Sequence, residues 1–296
     1  MSKPVAVVTG ANSGIGRATA VHLAGHGFEV YGTIRDRARA TKLEAMAGDA
    51  GVTVNLVELD VAEDTSVHDG FAEILDRAGR VDVLVNNAGV GGNAVVEEVS
   101  TQLMLDVVNV NVNGAIRCLR EVVPGMRERG NGAIVNITSV AGRFGAIAQA
   151  PYTASKWAFE GLSEELAFEL APFGIRVAIV EPGVTKSAIF AKNVDVPDGT
   201  GAYDAHYRRL FNFYAAGMAN STDPFAVAEV IRHAVTTDDP KLRYACAWGG
   251  AEIIDSRRRI TDEDWVALGA IEDDGEYEDR FVQLFGVDIH PPTETG

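Results

Sequence analysis

A short apolar run, Val5-Ala-Val-Val-Thr9, passes without a break into Gly10-Ala-Asn-Ser-Gly14-Ile-Gly16. A helix-like pattern follows, carried by Arg17, Ala18, Ala20, Val21 and Leu23. The β-branched run reads as a parallel strand buried on both faces. The glycines permit a tight turn and close approach of a ligand to the backbone. The helix start that follows offers unpaired N–H groups to a pyrophosphate. The spacing is Gly-x-x-x-Gly-x-Gly, not Gly-x-Gly-x-x-Gly. Alone, such a loop is also compatible with a purely structural turn. Its place at the first strand of an alternating chain argues for a dinucleotide site.

The alternation continues along the chain. Strand-like segments fall near 4–9, 28–34, 52–58, 81–86, 132–138 and 175–181, with helical patterns near 14–26, 63–78, 99–129 and 151–173. This order implies βαβ units, a parallel sheet, and ligands at the carboxyl ends of its strands. After residue 184 the pattern breaks. Thr222-Asp223-Pro224 is a helix start, leading a helix to about 236. Residues 242–248 form a candidate seventh strand. There is no internal repeat, low-complexity tract or linker, so one domain is expected over 1–296. Residues 250–296 form an acidic extension, read as helical decoration or a partly disordered tail.

Tyr152-Thr-Ala-Ser-Lys156 sets tyrosine and lysine four apart, on one face of a helix. An ammonium beside a phenol favours the phenolate and lowers its pKa. A tyrosine so tuned can give a proton to a carbonyl or take one from an alcohol. Most Tyr-x-x-x-Lys pairs are only a solvated helix face. Ser139, 13 residues before Tyr152, and Asn111 upstream set this pair apart. Taken singly, Ser139 reads as a turn or cap hydroxyl and Asn111 as a satisfied buried amide.

With these residues together, the sequence resembles the short-chain dehydrogenase/reductase family in its common single-domain form. Thr9-Gly10-Ala-Asn12-Ser13-Gly14-Ile15-Gly16 is similar to its cofactor loop. Asp60-Val61 resembles the adenine contact, and Asn86-Asn87-Ala88-Gly89 the motif after the fourth strand. Asn111, Ser139, Tyr152 and Lys156 match its catalytic tetrad. Pro182-Gly183 matches the turn beside the nicotinamide, with Thr185 and Ser187 near the pyrophosphate. The likeness is strong over about 4–190. It implies a three-layer α/β fold, doubly wound and Rossmann-type, with about seven parallel strands and a C-terminal helical extension. It also implies hydride transfer between a nicotinamide cofactor and an alcohol or carbonyl. In that reading Tyr152 is the acid/base, Ser139 polarises the substrate oxygen, Lys156 also holds the nicotinamide ribose, and Asn111 positions a water.

The second strand ends Thr33-Ile34-Arg35-Asp36. Ile34 stands where NAD-preferring relatives carry an aspartate, and Arg35 suits a 2′-phosphate. NADP is therefore expected, with NAD the alternative. Neither Asn12 nor Ser13 is basic, so the second cation common in NADP-preferring relatives is missing from that loop. The alternative to an oxidoreductase is a nucleotide-binding regulatory protein on the same fold. The intact tetrad argues against it. A dehydratase or epimerase of the extended branch would carry a different glycine spacing and a separate substrate domain.

Residues 188–220 carry Phe190, Tyr203, Tyr207, Leu210, Phe211, Phe213, Tyr214 and Met218. They are expected to form a substrate lid for a bulky apolar alcohol or ketone. Thr-Ile-Arg-Asp, Glu181-Pro-Gly and the long tail give some likeness to the 17β-hydroxysteroid and retinol dehydrogenase branch. The net charge of −16 disfavours nucleic acid and anionic membrane as partners. No apolar run reaches the ~20 residues of a membrane span, and the immediate first strand leaves no room for a signal peptide. Two cysteines fit a reducing cytoplasm. His22 and His26, four apart, suggest half of a metal site. No metalloprotease pattern follows, so no metal is expected. Leu162, Leu166 and Leu170 form a stripe read as packing on the sheet. By resemblance this region also builds a subunit interface, implying a dimer or tetramer. Arg257-Arg-Arg259 is read as a solvated or internally paired run.

Overall fold

The computed structural model describes residues 2–187, 195–197 and 199–291. Seven strands form one parallel sheet in the order β3-β2-β1-β4-β5-β6-β7. They are β1 (Val5–Val8), β2 (Glu29–Ile34), β3 (Val54–Glu58), β4 (Val83–Asn86), β5 (Gly132–Ile137), β6 (Ile175–Pro182) and β7 (Arg243–Cys246). Every residue of β1, β4 and β5 is buried. This is why they read as unbroken apolar runs rather than alternating ones.

Successive side chains of β1 enter opposite cores, Val5 and Val7 one, Ala6 and Val8 the other. The first core is closed by α3 (Asp64–Ala78), α5 (Gly114–Arg129) and α6 (Ala150–Leu170). Leu166 and Leu170 of the leucine stripe lie in it. The second core is closed by α1 (Gly14–Gly25), α2 (Thr41–Asp49) and the helix Pro224–Thr236, α8 below. Chain order reverses between β1 and β4, so the carboxyl ends of these strands flank the switch point where such sheets bind ligands.

The helical pattern at 99–129 proves to be two helices, α4 (Thr101–Val108) and α5, joined by a π-helical turn at Asn109–Asn113. The apolar period runs through the break, which hides it in the sequence. The extra residue turns Asn111 inward, to 2% exposure. Helix α2 was not expected. Only Leu43 and Ala47 are buried on it and no side chain caps its start, so its signal is faint.

Residues 188–194 and 198 of the expected lid, Phe190 among them, lie outside the described residues. Residues Asp204–Ala219 form α7, with Tyr207, Leu210 and Tyr214 buried. The acidic extension forms α9 (Gly250–Arg257), α10 (Asp262–Gly269) and α11 (Asp274–Phe285). Thr261 and Asp273 cap the last two, accepting from the N–H groups of Asp264 and Glu276. Their apolar side chains join Val140 and Phe144 in a third core, where Phe281 stacks on Phe285 at 4.5 Å. Among the described residues, no helix is long and apolar enough to cross a membrane.

Candidate active site

The turn after β1 is locked to the turn after β4. Thr9 Oγ1 accepts from the N–H groups of Asn87 and Ala88 at 2.9 and 3.0 Å, and Asn87 Nδ2 donates to Thr9 O at 2.8 Å. Gly10 and Gly14 hold φ of +66° and +51°, a region open to glycine at little cost. A Cβ on Gly16 would overlap Asn87 Nδ2 and stand 2.5 Å from Gly10 O. Ser13, before α1, makes no side-chain cap bond, so the first-turn N–H groups face the cavity uncapped. Asn12 Oδ1 is buried without a hydrogen-bond partner in the protein. Such a cradle, with a free acceptor beside it, fits a dinucleotide pyrophosphate and ribose.

This cradle forms one end of a cavity of about 650 Å³. All the site residues singled out by sequence line it except Gly16 and Asn111, which sit behind its wall. Asp60 uses Oδ1 to accept from Ala62 N–H and its own N–H to reach Ser66, which fixes the loop after β3. Arg35 stands at the rim, exposed. Arg39, four residues on, lines the same rim and pairs with Asp36 at 3.3 Å. The glycine loop holds no second cation. A 3₁₀ turn at Arg37–Arg39 brings one from the other side.

At the opposite end, β5 delivers Ser139 and the first two turns of α6 deliver Tyr152 and Lys156. The Ser139 hydroxyl hydrogen-bonds the Tyr152 phenol, and its Oγ also accepts from Ala141 N–H at 3.2 Å. Lys156 Nζ donates to Ile137 O at 2.9 Å and lies 5.6 Å from the centre of the Tyr152 ring. The lysine was expected to lower the phenol's pKa. Instead burial pushes Tyr152 up, and only the Ser139 hydrogen bond opposes it. The ammonium is held by a backbone carbonyl below the ring. Burial in turn pulls Lys156 down to about 8, against the charge of Glu160.

Asn111 touches none of these groups directly. Its Oδ1 accepts from Val90 N–H at 2.8 Å, and its Nδ2 donates to Val90 O at 3.0 Å and Ser155 Oγ at 2.9 Å. Ser155 then donates to Tyr152 O at 2.7 Å. Gly183 follows Pro182 where a Cβ would overlap Trp248 O. Thr185 is 3% exposed, and Ser187 crowds Gly14, 2.9 Å from where its Cβ would be. Beside Tyr152 the wall becomes apolar, with Phe144, Ala146, Val184 and Phe213. Gln149 and Tyr214 interrupt it, their side chains joined at 2.5 Å.

His22 and His26 do not reach the cavity. Glu229 of α8 (Pro224–Thr236) binds His22 Nε2 at 2.8 Å, and Arg232 takes both its oxygens at 2.7 and 2.5 Å. The Arg257–Arg259 run pairs within its own neighbourhood, with Asp262, Asp255 and Ser256.

A half-buried tyrosine, its serine and lysine, and a glycine cradle in one cavity define an alcohol or carbonyl oxidoreductase of the nicotinamide type. Residues 4–197 match the family model described as short chain dehydrogenase, and the chain belongs to that family. Mouse 17-beta-hydroxysteroid dehydrogenase type 1 is 38% identical over 255 residues, 82% of this chain and 74% of that protein. Among solved structures, a short-chain dehydrogenase from Streptomyces avermitilis matches with a TM-score of 0.77 at 35% identity, covering 91% of this chain and 99% of that one. An actinorhodin polyketide ketoreductase with NADPH matches with a TM-score of 0.68 at 32% identity, covering 79% and 90%.

Proposed function

We propose that this enzyme is an NADP(H)-dependent oxidoreductase interconverting a secondary or primary alcohol and its carbonyl on a bulky apolar substrate. The observation that carries this reading is the meeting of Ser139, Tyr152 and Lys156 in the cavity that begins at the glycine cradle. Gly10, Asn12, Ser13, Gly14, Ile15 and the α1 N-terminus hold the pyrophosphate and its ribose. Asp60, Val61 and the Asn87–Gly89 turn frame the adenosine half. Pro182, Gly183, Thr185 and Ser187 close the nicotinamide end. Arg35 and Arg39, with no carboxylate at position 34, favour a 2′-phosphate, and the solved ketoreductase carries NADPH.

When bound, the reduced nicotinamide supplies the hydride. Ser139 donates to the substrate oxygen and Tyr152 passes its phenolic proton to it. The proton moves the opposite way when an alcohol is oxidised. Lys156 stabilises the phenolate that Tyr152 becomes, and Asn111 fixes the Tyr152 backbone through Ser155. Phe144, Val184 and Phe213 supply an apolar wall, and the mouse hydroxysteroid relative supports a large ring substrate. The segment 188–220 acts as the lid, with α7 as its inner wall. Exposed Trp157 and Phe168 on α6, at 52% and 81%, suit burial in a homo-oligomer.

The test is a panel of hydroxysteroids, retinoids and aromatic ketones assayed with NADPH and NADH by absorbance of the reduced cofactor. Turnover with NADPH that fails for Tyr152→Phe is expected. Undiminished turnover in that variant would remove the assigned acid/base, and a consistent NADH preference would favour the NAD alternative.

A further inference from the structure

Beneath the Ser139 loop lies a group of buried charges with no part in the reaction proposed above. Glu160 sits one turn beyond Lys156 on α6, and Glu181 lies at the end of β6, 4% and 2% exposed. Glu160 commits both oxygens. Oε1 accepts from the Thr138 hydroxyl at 2.6 Å and Oε2 from Arg243 Nε at 3.1 Å, with Arg143 at 3.5 Å. Glu181 Oε1 lies 3.6 Å from Arg143 and 3.8 Å from Arg243, yet it makes no hydrogen bond. Packing is tight, since a Cβ on Gly142 would stand 2.9 Å from Glu160 Cγ.

Burying two carboxylates side by side is a poor way to stabilise a fold, and an apolar pair of similar size commonly does as well. Their placement points to another use. Thr138 immediately precedes Ser139, Glu160 follows Lys156 by one turn, and Glu181 immediately precedes Pro182-Gly183. Thr138, Glu160 and Glu181 are thus each one residue or one turn from a group facing the cavity.

We infer that Glu160 and Glu181 are positioning residues for the proton transfer. Glu160 clamps the Ser139 loop to the helix of Tyr152 and sets a negative charge behind Lys156, and the charge state of Glu181 governs how fully Arg143 and Arg243 bear on that clamp. The inference rests on the assignment of Ser139, Tyr152 and Lys156 as the reacting set. The charged and titratable groups facing the pair are Arg143 from the loop after β5, Lys156 from α6, Arg243 and the Cys246 thiol from β7, and Arg258 at the end of α9, while exposed Glu164 of α6 binds Arg243 from the outside. Burial lifts the Glu181 carboxyl to about 7, with the Glu160 charge adding and the three arginines opposing. With Glu181 ionised, the arginines divide between two carboxylates. With it protonated, they serve Glu160. Removing the Glu160 charge lets Lys156 lose its proton at lower pH.

The experiment measures kcat and kcat/KM from about pH 6 to 9.5 for wild type, Glu160→Gln, Glu181→Gln and Tyr152→Phe, with cofactor affinity by fluorescence titration. For Glu160→Gln, a kcat loss of about tenfold or more is expected, with cofactor affinity within about twofold and the alkaline limb moved toward neutrality. For Glu181→Gln, the pH dependence near neutrality should flatten. Wild-type kcat and unchanged limbs in both glutamine variants would overturn the inference, as would equal losses at every pH tracking a lowered melting temperature. Should Glu160→Gln not fold, Glu160→Asp, which keeps the charge, and Glu181→Gln decide by the same limbs. Tyr152→Phe at wild-type rate would sink the catalytic assignment itself. An inactive Tyr152→Phe beside unaltered glutamine variants would sink this inference alone.

Discussion

The Tyr152 phenol is a reluctant acid in the folded protein, because burial favours its neutral form and the nearby ammonium is turned to a carbonyl. Such a phenol keeps its proton for delivery; at rest the Ser139 hydrogen bond opposes the burial, and Lys156 is left to stabilise the phenolate once the proton has gone. Tyr152→Phe removes that proton with little change in shape. Turnover should fall at least ~10²-fold while cofactor affinity, followed by titration, holds. Arg35 and Arg39 make a second prediction. Both face water, so screening weakens each contact. The Arg35→Ala, Arg39→Ala double variant should lose about tenfold or more in NADPH affinity and little in NADH affinity. Equal losses for both cofactors would remove the 2′-phosphate role from the pair. Arg35 was legible in the sequence because it follows a strand end. Arg39 was not, because only the 3₁₀ turn brings it back to the rim.

At the scale of elements, the strands and the Ser139–Tyr152 spacing were readable because buried parallel strands leave unbroken apolar runs and the family motifs sit at their ends. The break at Asn109–Asn113 was not, since a π turn inserts one residue without interrupting the apolar period. The C-terminal helices announced themselves only by caps at Thr261 and Asp273, within a run whose acidity suggested a tail. No local pattern pairs Glu160 with Glu181, which meet only through tertiary packing. Helix α11 shows what that packing contributes. Phe281 is 3% exposed and stacks on Phe285, so Phe281→Ala should cost about 3–5 kcal/mol in denaturant unfolding. A loss under about 1 kcal/mol would mean that the third core collapses around the gap or contributes little.

The molecule as a whole should record Glu181 in its stability. The folded carboxyl is raised to about 7 from an ordinary 4.5. Between those values the folded state holds a proton that the unfolded chain releases. Stability therefore falls as pH rises from about 4.5 to 7 and changes little beyond, by at most about 3 kcal/mol from this group. Glu181→Gln should lose that slope when unfolding is followed across the window, and a slope identical to wild type would assign it elsewhere. The third core has a further consequence. The match to the family model ends at 197 and spans Ser139, Tyr152 and Lys156. The helices packed on Val140 and Phe144, beside Ser139, come afterwards. The later stretch thus braces the Ser139 loop from outside the cavity, so a change there bears on that loop while every cavity-lining residue before 197 stays as it is.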